Sequence, residues 1–148
     1  MKTSFKILFP FVIYVISSFT AYAQTGRFYT TDGGLSSSLI NHFFQDSKGF
    51  MWTATEYGLN SFDGLRFANY WHVSGDSTSI KNNYVRTLFE DSRQNLLIGC
   101  IDGLMRYDRE TNTFSEIPMI RAGKQVFPHV TQMQELHNGE IFNGICGI

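Results

Sequence analysis

Short apolar runs split by turn residues set the pattern of this chain. From Leu39 the runs are Leu39–Gln45, Phe50–Thr55, Gly58–Phe62 and Phe67–Trp71. The separators are Asp46-Ser47-Lys48-Gly49, Glu56-Tyr57 and Asp63-Gly64. Short runs bounded in this way predict strands, and Asp-Gly is a strong hairpin signal. The same runs return, with Asp46 falling on Asp91, as Tyr84–Glu90, Leu96–Ile101, Gly103–Tyr107 and Phe114–Ile117. Neither set carries a helical period of useful length. Each predicts a four-stranded antiparallel meander.

The register, 45 residues from Asp46 to Asp91, preserves physical type. Met51-Trp52 falls on Leu96-Leu97 and then on Ile141-Phe142, and Gly58-Leu59 falls on Gly103-Leu104. Ala54, Gly99 and Gly144 coincide, so one strand position demands a small side chain; a close neighbouring backbone is the expected cause. A fixed period between about 40 and 50 residues marks stacked supersecondary units. The second run of each set is apolar without alternation, so both faces of that strand should be covered. A four-stranded sheet covered on both faces and repeated is a propeller blade between two others, rather than one face of a single β-sandwich. The expected fold is all-β, an incomplete ring of about two and a half blades at residues 36–73, 81–118 and 128–148.

The phrase QDSKGFMWTATEYGLNSFDGLRFANY resembles the two-component regulator propeller repeat. FYTTDGGLSSSLIN is similar to the approach to the sensor region in that family, and DSTSIKNNYVRTLFED to its inter-blade linker. The resemblance covers about residues 26–148. Ala54 stands where the repeat usually has Gly, Leu97 and Phe142 stand where it has Trp, and the third copy lacks the Asp. The resemblance implies structural roles for Asp46, Gly49, Trp52, Gly58, Asp91, Gly99, Gly103 and Gly144. It also implies that Phe28-Tyr29, within residues 24–35, is a strand closing a ring with a blade beyond Ile148.

Residues 1–23 have the layout of a secretory signal peptide. Lys2 and Lys6 precede the apolar stretch Ile7–Phe19, and Ala21-Tyr22-Ala23 forms a small-x-small cleavage site before Gln24. That stretch is short for a membrane span of about 20 residues. Losing Lys2 and Lys6 leaves 10 basic residues against 13 acidic ones, which gives no footprint for nucleic acid.

Chemistry is sparse. His42, His72, His129 and His137 show no metal-ligand spacing, and the sequence offers no nucleophile elbow, phosphate loop or framed carboxylate pair. No catalytic residue, cofactor or metal is expected. Cys100 and Cys146 occupy nearly equivalent places in successive copies. Adjacent blades lie about 10 Å apart, too far for a bridge, so two buried thiols are expected. The Asp-Ser-Lys-Gly turn lacks the alternate oxygens of a calcium loop, and its spacing differs from that of a sialidase Asp-box. Asp46 and Asp91 are expected to accept backbone N–H groups there. Four residues are candidates for ligand contact: His42 on the first strand of blade one, and Tyr57, Trp71 and Tyr84 at strand ends.

By resemblance, the chain is the amino-terminal part of a periplasmic propeller of a hybrid two-component histidine kinase. Such a sensor detects oligosaccharides and signals as a dimer across the inner membrane; the kinase and the remaining blades lie elsewhere. The competing expectations are a fragment of an exported glycosidase- or lyase-type propeller and a truncated reading frame.

Overall fold

The computed structural model describes residues 26–146; the signal peptide expected at residues 1–23 lies outside the described residues. Strands β1 (Ile40–Gln45), β2 (Met51–Thr55), β3 (Gly58–Phe62) and β4 (Phe67–Tyr70) pair in that order as one antiparallel sheet. A second such sheet holds β5 (Val85–Glu90), β6 (Leu96–Cys100), β7 (Gly103–Asp108) and β8 (Thr113–Ile117). A hairpin of β9 (Met119–Arg121) and β10 (Lys124–Val126) follows, and then the pair β11 (His129–Glu135) and β12 (Ile141–Cys146). One 3₁₀ turn, Thr31–Gly33, precedes the first sheet.

The first strands of the three units lie side by side, β1 against β5 and β5 against β11, so the sheets fan out from a common inner edge. Two apolar layers fill the gaps. Between blades one and two, Trp52, Ala54 and Leu59 meet Val85, Leu88, Leu96, Ile98, Met105 and Phe114. Between blades two and three, Leu97 and Leu104 meet Val130 and Met133. Leu97 and Leu104 are the 45-residue counterparts of Trp52 and Leu59, so one contact is made twice. Every residue of β6 is buried, as a strand covered on both faces requires.

The aspartate turns make the bends between the first two strands. Oδ1 of Asp46 accepts the N–H groups of Lys48 and Phe50 at 3.0 and 2.9 Å. Oδ1 of Asp91 accepts those of Arg93 and Asn95 at 2.9 and 2.8 Å. The next residue ties each blade to its successor. Ser47 donates its backbone N–H and its hydroxyl to the Glu90 carboxylate at 2.6 and 3.0 Å. Ser92 does the same to Glu135, at 2.7 Å for both bonds.

Phe28 and Tyr29, expected to close a ring with a blade beyond Ile148, precede the described sheets, and the Tyr29 ring packs on Phe62 and Phe67 at 4.9 and 5.5 Å between centroids. Two details differ from the sequence expectation. The β9–β10 hairpin occupies residues between the second and third expected blades, where no element was expected; Ala122 and Gly123 turn it with φ of 50° and 76°. Finally, the small residue at Gly99 is imposed by side chains and not by a close backbone. A Cβ there would lie 2.7 Å from Thr87 Cγ2 and 2.9 Å from Val130 Cγ1.

Candidate ligand-binding rim

Where β2 turns into β3, the chain meets the linker that enters β5. Gly58 makes the approach possible. Its φ of 123° suits glycine, and a Cβ would lie 2.8 Å from the Tyr70 carbonyl oxygen and 3.0 Å from Trp71 Cδ1. The Gly58 N–H donates to the Asn83 carbonyl at 2.7 Å, and the Asn83 side-chain oxygen accepts the His72 N–H at 2.7 Å. The Tyr84 hydroxyl donates to Glu56 at 3.0 Å, which raises the Tyr84 pKa, the hydrogen bond to the carboxylate being the main cause. Glu56, Tyr57, Trp71 and Tyr84 thus form one rim across the junction of blades one and two.

Three of the four sequence candidates meet on this rim. Tyr57 is 62% exposed and Trp71 49% exposed, while Tyr84 is half-buried and held by Glu56. Glu56 and Arg86, whose Cζ lies 5.6 Å from the centre of the Tyr84 ring, were not singled out from sequence. Glu56 was read only as part of a turn, and the aligned position in the next copy is Ile101, so the repeat gave it no emphasis.

His42 stands apart, further along β1. Its Nδ1 accepts the Leu88 N–H at 3.1 Å, joining the inner strands of the first two blades. That bond requires the Nε2–H tautomer, and burial lowers the His42 pKa below its ordinary value of 6.5. Neutral His42 therefore favours the folded state. This contribution is complete above about pH 6.5 and is lost as pH falls toward the depressed folded value. Titration by NMR is expected to place the His42 midpoint below its ordinary 6.5. A midpoint at or above 6.5 would remove the argument.

The remaining groups are structural. Ala54 is fully buried, and burial pushes the Cys100 thiol up to about 12, so Cys100 is an inert free thiol. Among the described residues no cluster of His, Cys, Asp or Glu is arranged to hold a metal ion. No described helix is long and apolar enough to cross a membrane.

Antiparallel four-stranded meanders fanned from a shared inner edge are propeller blades, and this chain is built of them. Residues 34–57 match the family described as two component regulator propeller. Over 77 residues, 49% of this chain, the sequence is 35% identical to histidine kinase P4 of Formosa agariphila. It covers 6% of that protein. Among solved structures, the extracellular domain of a B. thetaiotaomicron protein assigned as a hybrid two component system is similar with a TM-score of 0.69 and 29% identity. The match covers 79% of this chain and 17% of that one. A second such domain from the same organism shares the fold at a TM-score of 0.68 and 24% identity, over 83% of this chain and 18% of its own length. The described residues have the fold of propeller blades, and the sequence is similar over these stretches to the two component regulator propeller family and to parts of two-component system proteins. The matched structures are extracellular domains.

Proposed function

We propose that this chain is the N-terminal part of a periplasmic propeller that senses an oligosaccharide for a hybrid two-component system. In this reading a signal peptide exports it, and further blades complete the sensor. A dimeric parent protein carries the signal across the inner membrane to a kinase. The observation that carries the ligand assignment is the rim. Tyr57 and Trp71 offer exposed ring faces beside a fixed pair of hydrogen-bonding groups, Tyr84 and Glu56. Flat apolar rings with a few placed polar groups suit sugars, which present C–H faces and hydroxyl edges together.

The test is calorimetric titration of the full chain with oligosaccharides, beside the Trp71→Ala variant. Half-exposed Trp71 contributes little to the blade core, so its unfolding midpoint should stay near that of the parent. Glycan affinity should fall at least about tenfold, as loss of one well-stacked ring predicts. An unchanged affinity would remove the rim from the reading.

A further inference from the structure

The three inner strands read INHFFQ, VRTLFE and HVTQMQE, and among them Arg86 is the sole Lys or Arg. Their two carboxylates, Glu90 and Glu135, lie at the far end, each clamped by a serine turn. Arg86 lies instead at the end that carries the rim. The other half-buried cations of the two complete blades are paired, Arg109 with Asp46 and Glu90 and Lys81 with Glu116 while lying over the Phe127 ring, whereas Lys48, Arg66, Arg93 and Arg106 are exposed to water. Arg86 forms no salt bridge and no side-chain hydrogen bond among the described residues. It is half-buried and braced against Tyr84. Glu56, the nearest acid on the rim, is held by the Tyr84 hydroxyl and lies beyond ion-pair distance of the guanidinium.

A half-buried guanidinium with no anion has lost part of its hydration without replacing it, and a carboxylate or sulfate matches its fork of donors. We infer that the ligand of this rim is an acidic saccharide whose carboxylate or sulfate is received by Arg86. The inference rests on the proposed glycan reading and narrows it. Tyr84 braces the guanidinium, and Glu56 keeps one oxygen free to accept a sugar hydroxyl. A neutral sugar would leave Arg86 as exposed to partial desolvation as before. An acidic one supplies the missing partner and the hydroxyls together.

The experiment is binding of the full chain to an array of matched oligosaccharides, uronate-bearing, sulfated and neutral. The strongest binder is then titrated against Arg86→Gln and Arg86→Lys. The expected result is binding confined to acidic members, weakened about 10- to 100-fold in Arg86→Gln and less in Arg86→Lys, with the unfolding midpoint unchanged. The two acidic arms identify which anion is read. Binding of neutral members as strong as that of acidic ones, or acidic binding unaffected by Arg86→Gln, would overturn the Arg86 assignment and leave a neutral-glycan rim standing. Absence of binding to every member would overturn the glycan reading and the inference together.

Discussion

Replacing Asp46 with alanine is expected to lower the unfolding free energy by about 3–5 kcal/mol, the range for removing one partner of a buried ion pair. The side chain is fully buried and its carboxylate serves four donors. Oδ1 holds the turn through Lys48 and Phe50, while Oδ2 accepts Trp52 Nε1 and Arg109 Nη1, each at 2.7 Å. Alanine strands the indole N–H, buried under Tyr70 and Tyr107, and leaves Arg109 with Glu90 alone. Asparagine can keep the turn bonds but turns an NH₂ toward two donors, so most of the loss should persist. Urea unfolding followed by tryptophan fluorescence measures both variants. A loss below about 1 kcal/mol for alanine would show that water replaces the carboxylate and that the turn does not anchor Trp52.

The same residue sets an acid limit. Burial by itself would raise the Asp46 pKa, but the bonds from Trp52, Arg109 and Phe50 outweigh it and hold the group below its ordinary 3.8. Its stabilisation is therefore complete above about pH 3.8 and disappears as pH falls through the depressed folded value. The stability of the Asn variant should fall less steeply than that of the parent in this range.

Filling Gly99 should be nearly as damaging. Alanine puts a methyl group 2.7 Å from Thr87 Cγ2 and 2.9 Å from Val130 Cγ1, and Val130 is fully buried with nowhere to retreat. Overpacking of this kind costs about 1–3 kcal/mol, and Gly99→Val should reach the upper end or beyond. The loss should fall on the contact of blade two with blade three. At the equivalent place in blade one, Ala54 is accommodated because its strand partner is His42, which is unbranched at Cβ, where Gly99 faces Thr87. Thr87→Ser combined with Gly99→Ala should recover part of the loss in unfolding midpoint. Full recovery would exclude Val130 as a cause, and no recovery would exclude Thr87.

These two sites also show what the sequence could and could not disclose. Strand positions were legible because the 45-residue register repeats the turn residues with the apolar ones, so each boundary was marked twice. The small-residue position was legible, but its cause was not: the crowding comes from Thr87 across the sheet and Val130 in the next blade. The β9–β10 hairpin escaped because Ala122-Gly123 lacks the usual Asn or Asp at the first positive φ. Arg109 escaped for a different reason. The position aligned with it in the first copy is Gly64, and its partner Asp46 is 63 residues away, so neither repeat nor local spacing pointed to it. Of the rim, the aromatic members were visible as strand-end residues. Glu56 and Arg86 gained meaning only when the turn of one blade was set against the entry of the next.

The serine clamps give the stack a direction. In each the donors belong to the earlier blade and the carboxylate to the later one, Ser47 to Glu90 and Ser92 to Glu135. The self-sufficient interval of sequence is thus not a blade but the span from one serine turn to the next. Adding or removing sequence in whole intervals leaves every donor facing its acceptor and every small residue facing its crowded neighbour. A change of any other size leaves half a clamp open and shifts one blade's small position out of line with the side chains that demand it. The architecture is tolerant of change in number and intolerant of change in phase.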